Sequence, residues 1–417
     1  MTDSATQARP RQSIGIVVLM TLYMLGFTNL FLRNSLGIMA PSISQNMALS
    51  PATLSVVASS FFFAYALMQI PSGMLLDRFG ARRTLAFLLL FTTAGAALFS
   101  IAENASQLIA ARILMGIGCA GIFSGAFFVV NQWVSSDRVI TQTALLNSFA
   151  AIGGLCATAP LAALLIIYDW RDCFWVFTIG VGILLLAVLL GLREPPKTTV
   201  SSAARHETIG QILAGVRGAL AQPGMKRLLV VGVPISCQTT IIGAWGAPYL
   251  CDVHQLDDIQ RGSIMLAMAV TGIFGHSFYG YIARLLNSVR TPIVGGGMIV
   301  CLMLSILAAI SQPPIWLVTT VFAVLGFVTM YPMVAFAHAR GLVPTEIVGR
   351  GVAVTNMGIM MAIALSQLLF GWIIGLYPTV NGVSPELAYR AGFAALAGLS
   401  LLAVFIYIPA RDCKPRG

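Results

Sequence analysis

The sequence predicts an all-α membrane protein, with twelve transmembrane helices in two six-helix pseudo-repeats around a central cavity. Three observations carry this expectation. Of 417 residues, 58% are hydrophobic and only 9% charged, where soluble domains carry roughly a quarter charged residues. The apolar runs are long enough to cross a hydrocarbon core of about 30 Å at 1.5 Å per residue. A polar hinge, Gly73-Met-Leu-Leu-Asp77-Arg78-Phe-Gly80-Ala-Arg82-Arg83, joins two such runs and returns in weaker form as Gly280 to Arg284 and Arg290, about 207 residues later. A motif repeated at that distance implies two halves of like construction.

In chain order, the spans are expected at Ile14–Met39, Ala52–Leu76, Thr84–Ile101, Ser106–Trp133, Thr141–Ile167 and Cys173–Leu192. The composition then changes. Arg193 to Gln222 contains Glu194, Lys197, Arg205, His206, Glu207 and Arg217, with Pro195-Pro196 at its start and Ser201-Ser202 inside. That reads as a linker, partly an amphipathic helix lying on the membrane surface. The second set is expected at Arg227–Leu250, Ile259–Ala283, Thr291–Ile310, Ile315–Ala339, Gly349–Leu376 and Leu387–Ile408. The halves are thus residues 1–192 and 226–417, joined by a cytoplasmic linker at 193–225.

The basic residues orient the chain. With this layout 19 Lys and Arg fall in segments on one side, whereas only Arg171, Arg261 and Arg390 fall in loops on the other. Short loops rich in Lys and Arg stay cytoplasmic, so both termini are placed in the cytoplasm and the protein in the cytoplasmic (inner) membrane. The net charge of +10 then reflects topology and does not point to a nucleic-acid partner. Met1 to Gln12 is short, polar and basic, and the apolar run after it is too long for a cleaved signal, so it reads as a retained first span. Seven cysteines are scattered without metal-ligand spacing and read as small apolar packing residues. No metal or cofactor is expected. All fourteen acids lie in loops, tails or helix ends, so there is no buried carboxylate pair for acid–base chemistry. A membrane enzyme lacks its clusters, and a receptor lacks room for a soluble module.

The informative charges are those inside spans. Arg33 and Arg112 are each expected about 8 to 11 Å from the outer end of their helix, at 1.5 Å per residue. An arginine there costs about 2.5 to 3.5 kcal/mol on insertion scales, so it faces a wet cavity or a partner. For Arg33 the functional reading is a two-pronged clamp on a carboxylate or phosphate; the bland one is a side chain reaching for headgroups or helix carbonyls. Arg112 divides evenly between those readings. Among polar residues in spans, Asn29 is one turn from Arg33 on the same face. Tyr65, Tyr331 and Asn356 are candidate contacts. Gln238 and Trp245 stand seven apart on one expected face of the seventh helix, in a stretch broken by Pro234, Gly243, Gly246 and Pro248. His276 could titrate near neutral pH. Taken singly, such residues serve more often as interhelical hydrogen-bond partners.

The hinge Gly73, Asp77, Arg78, Gly80, Arg82 and Arg83, with its copy in the second half, resembles the loop between helices two and three of the major facilitator superfamily. It departs at Ala81, where many members are basic. Arg112-Ile-Leu-Met-Gly116-Ile-Gly118-Cys-Ala-Gly121 is similar to that family's fourth-helix motif, whose arginine has structural or proton-related roles. Pro344-Thr-Glu346 to Arg350 resembles its loop into helix 11. Over about the first 140 residues, Arg33, Ala40-Pro41-Ser42-Ile43, Leu49-Ser50-Pro51 and Ser60 to Gly73 resemble the anion:cation symporter branch. The resemblance implies a monomeric secondary transporter of a small organic anion, a carboxylate or sugar acid, with Arg33 engaging the anion. Leu32 and Cys119 stand where that branch often has acids used in proton coupling, so a coupling proton, another ion, exchange and uniport all stay open. The alternative within transport is a carrier of neutral or zwitterionic metabolites, or a drug exporter. The hinge also implies a latch between halves, Asp77 against the helix N-terminus near Arg350.

Overall fold

The structure, a computed structural model, describes residues 15–192, 209–379 and 382–413. The proline and serine pairs of the linker and the first fourteen residues lie outside these. The membrane-crossing helices are α1 (Ile16–Met47), α2 and α3 (together Pro51–Ser100), α4 (Ala105–Trp133), α5 (Asp137–Leu165) and α6 (Trp170–Gly191), followed by α7 (Met225–Asp252), α8 (Asp258–Leu285), α9 (Arg290–Ala309), α10 (Ile315–Leu342), α11 (Val348–Gly375) and α12 (Glu386–Tyr407). A linker helix, Ile209–Ala221, precedes α7. Twelve crossings put the start of α1, the end of α12 and the linker helix on one side, called here the linker side; the opposite side is the far side.

The hinge is tighter than expected. Helical hydrogen bonding continues across it except at Gly80, whose φ of 80° and ψ of 174° fall in a region open essentially to glycine alone. The glycines of α4 show that this one residue reverses the chain. Gly116 and Gly121 lie against Phe61 and Ser72 of α2, in the same running direction, while Gly118 and Gly125 lie against Thr92 and Leu85 of α3, in the opposite one. We expect Gly80→Ala to cost about 1 to 3 kcal/mol and to lower the melting temperature of the purified protein. Gly73→Ala should be neutral, because a β-carbon there meets nothing within 4 Å.

Other departures from ideal helix trace to particular residues. Pro160 starts a new helical segment in α5 after Thr158, and α10 is interrupted between Val328 and Pro332, because proline cannot extend the hydrogen-bond ladder before it. Side-chain caps start helices at the far-side turns: Ser50 accepts from the Thr53 amide, Asn104 from Gln107, and Asp257 from Gln260 in a reciprocal capping box. On the linker side, Asp412 accepts from the Ser288 hydroxyl at 2.6 Å and from the amides of Val289 and Arg290. Partial burial alone would raise its carboxyl, but these bonds hold it below the usual range, and they fasten the tail to the start of α9.

The two halves meet through their far-side portions, and small residues let their backbones touch. A β-carbon on Gly37 of α1 would lie 2.1 Å from the Ile242 carbonyl oxygen of α7. One on Gly371 of α11 would lie 2.3 Å from Ser55 of α2, and one on Gly262 of α8 would lie 2.7 Å from Ala162 of α5. On the linker-side portions of α4 and α5, Asn131, Asn147 and Ser148 are exposed and bond to carbonyls of their own helices. Polar side chains at that position fit a water-filled cleft between the halves.

Candidate functional site

α1 runs past the expected end of its span. The helix continues to Met47, so Arg33 lies just past the midpoint of its 32 residues, while Arg112, about 10 Å from the far-side start of α4 at 1.5 Å per residue, donates to the Leu32 carbonyl and so sits level with it. The Arg33 side chain is half-buried, with the guanidinium 5.5 Å from the Phe62 ring centre of α2. No carboxylate pairs with it among the described residues. Helical side chains lean toward their N-terminus, so this one leans toward the linker side.

Three of the expected residues gather around it. Asn29, one turn earlier, is buried and donates to the Cys119 carbonyl of α4 at 2.8 Å, with Tyr65 close by. Arg112 is buried to 1% exposure, lies 4.5 Å from the Phe61 ring centre and donates from Nη1 to the Leu32 carbonyl at 3.0 Å. Its Nε and Nη2 have no partner among the described residues. Arg112 therefore braces the carbonyl next to Arg33 and cannot itself reach bulk water, whereas Arg33 keeps exposed surface. The two cations stack on successive phenylalanines of one helix, and each stack is worth about 0.5 to 2 kcal/mol.

The second half is arranged differently from the sequence expectation. A π-helical turn spans Ile241–Trp245, closed by a bond from the Gly246 amide to the Ile241 carbonyl. Such a wide turn shifts the phase of every later residue in the helix, so Gln238 and Trp245 do not share a face. The Gln238 amide points to α8, 3.6 Å from where a β-carbon on Gly272 would sit. Trp245 instead turns to α11, donating to the Gln367 carbonyl at 3.4 Å and lying 2.4 Å from a β-carbon on Gly371. Tyr331 is fully buried inside the second half, 5.4 Å ring to ring from Tyr279 and against Gly296 of α9. His276 is exposed on α8, and Asn356 is half-buried in the linker-side third of α11.

Among the hinge residues, Asp77, Arg78 and Arg83 are exposed. Arg78 lies 5.5 Å from the Phe79 ring centre, and Arg82 donates to the Leu189 carbonyl, tying α3 to α6. The Arg350 guanidinium lies against Gly215 of the linker helix.

One polar residue of α11 is absent from the sequence expectation. Gln367 is fully buried, with its amide nitrogen 3.4 Å from the Thr239 carbonyl and its amide oxygen unpartnered among the described residues. The available signal was its spacing of eleven from Asn356, three helical turns, which places both on one face. A separate concavity of about 600 Å³ opens between α2, α4 and α11, lined by Val56, Phe63, Leu67, Ile113, Ile117 and Leu368. Its lining is apolar and Leu67 is 68% exposed, so it is a lipid-facing flank with nothing to offer an anion.

The Major Facilitator Superfamily profile matches residues 22–338. A probable galactarate/D-glucarate transporter of Bacillus subtilis is 26% identical, covering 96% of this chain and 94% of its own. The D-galactonate transporter of Escherichia coli O6:H1 is 23% identical, covering 89% and 90%. In fold, the chain superposes on the crystal structure of a bacterial homologue of the human lysosomal transporter Spinster with a TM-score of 0.77 at 17% identity, over 94% of this chain and 96% of that one.

Proposed function

Because the chain belongs to the major facilitator superfamily, a family of non-enzymatic membrane transporters, we propose that it carries a small organic anion, a carboxylate or sugar acid, by alternating access. The observation that carries this reading is Arg33: a half-buried guanidinium midway along α1, with no carboxylate beside it among the described residues. A bare cation at that depth is costly, and an anionic substrate offsets that cost each time it binds. Asn29 and Tyr65 complete the wall around it, while Arg112 holds the α1 backbone in place. The named relatives, transporters of galactarate, D-glucarate and D-galactonate, support the same class of cargo.

In this reading the linker side is cytoplasmic, as the basic loops suggest, the membrane is the cytoplasmic one, and the conformation is inward-open. Gln238 of α7, His276 of α8 and Asn356 of α11 are the proposed polar contacts from the second half. Asp77 against the N-terminus of α11, near Arg350, forms the inner latch once the linker side closes. Asp77→Asn should then retain expression and ligand binding while slowing turnover several-fold in proteoliposomes; unchanged turnover would count against the latch.

The direct test is thermal stabilisation of the purified protein by carboxylates, sugar acids, phosphates, amino acids and nucleosides, with Arg33→Ala and Arg33→Lys alongside. A ligand of the native state raises the melting temperature by mass action. Stabilisation by one anion class, lost in both variants, is the expected result. Stabilisation by neutral or zwitterionic compounds alone, undiminished in the variants, would transfer the function to the alternative class of cargo.

A further inference from the structure

A buried amide oxygen without a partner costs about 1 to 3 kcal/mol, and such orphans call for an explanation. Among the described residues, Gln367 carries one in a fully buried side chain. A β-carbon built on Gly243 lies 3.5 Å from the Gln367 amide nitrogen and 3.4 Å from the Arg33 carbonyl oxygen, so these two atoms are within about 7 Å of each other across the boundary between the halves. The amide nitrogen is held by the Thr239 carbonyl, which fixes the oxygen as the free end. Trp245 donates to the Gln367 main-chain carbonyl and leaves that side-chain oxygen untouched. The side chain leans toward the helix N-terminus, that is, toward the linker side, above Asn356 on the same face of α11.

We propose that Gln367 is a specificity residue that accepts a hydrogen bond from a hydroxyl group of the substrate as the cavity closes around it. The inference rests on the anion reading above, and it selects hydroxylated acids over plain carboxylates of the same length. Arg33 supplies the charge recognition, and Gln367 reads a hydroxyl on the body of the molecule. Thr239 and Trp245 are its positioning residues.

The test compares galactarate with adipate, six-carbon dicarboxylates with and without hydroxyl groups, and gluconate with hexanoate, by titration of wild type, Gln367→Leu, Gln367→Glu and Arg33→Ala. Wild type should prefer the hydroxylated member of a pair by about tenfold or more, the worth of one good hydrogen bond. Gln367→Leu should lose most of that preference while keeping its affinity for adipate or hexanoate. Gln367→Glu, which keeps an acceptor but adds a negative charge, should weaken all four anions. Retention of the wild-type preference in Gln367→Leu would overturn the proposal. Equal weakening of hydroxylated and plain acids by that variant would also overturn it, since Gln367 would then act through the conformational balance alone. Failure of every carboxylate to bind wild type, or binding indifferent to Arg33→Ala, would instead strike the anion reading on which this one stands.

Discussion

Gly37→Ala is expected to abolish most transport without unfolding the protein, because it prevents the two halves from meeting on the far side. Its new β-carbon would lie 2.1 Å from the Ile242 carbonyl oxygen, and a backbone atom cannot turn aside as a flexible side chain can. The halves must move apart by about 1 Å to reach contact distance, which the interface between them can do at lower cost than a packed bundle. Gly153→Ala makes the matched control. It brings a β-carbon to 2.2 Å from the Phe27 carbonyl oxygen, an equal clash, but between α5 and α1 of the same half. The second variant should lower the melting temperature and the folded yield, whereas the first should shift the conformational balance. Ala52→Cys in a protein whose seven native cysteines are replaced by alanine reports the difference, since Ala52 lies 3.3 Å from a β-carbon on Gly375 at the far-side contact. We expect its maleimide labelling to rise several-fold in Gly37→Ala and to stay unchanged in Gly153→Ala. Equal labelling in both variants would remove Gly37 from the seal.

Arg33→Ala should cut transport by about 100-fold or more, the loss of two charge-assisted hydrogen bonds at about 1.5 kcal/mol or more each. Arg33→Lys, which keeps the charge but not the planar fork, should lose about tenfold. The same substitutions make a second, opposite expectation for stability. A structural arginine would lower the melting temperature when removed. Arg33 has no paired carboxylate among the described residues, so its loss relieves a half-buried, unpaired charge, which offsets the lost stack on Phe62, and Arg33→Ala should melt close to the wild-type temperature or above, as residues kept for function at a cost in stability do. Arg112→Ala should behave in the other way, because it removes the brace to Leu32 and the contact with Phe61. Transport and melting temperature measured on the two alanine variants thus separate the binding cation from the bracing one. A marked fall in melting temperature for Arg33→Ala with little change in transport would assign Arg33 to the scaffold.

Much of this is legible in the chain. Apolar length sets the number of crossings, because backbone polar groups in hydrocarbon must be satisfied within each helix. The hinge can be read from its residue types, and Gly80 does adopt the backbone conformation that requires glycine. Arg33 and its neighbour Asn29 are visible as polar residues one turn apart in an apolar run, and the structure does place them beside Tyr65 and Arg112. What the sequence by itself determined is therefore the architecture and the turning point between α2 and α3. Tertiary structure alone decided which neighbour each polar side chain meets. Lipid is as apolar as the core, so spans carry little amphipathic signal to say which face turns inward. That is why Tyr331 reads as a cleft residue while packing on Gly296, and why Gln367 does not stand out from its apolar neighbours. The π turn in α7 adds a second reason: periodicity assumes an unbroken helix, and one wide turn at Ile241–Trp245 separates Gln238 from Trp245 although their spacing puts them on one face.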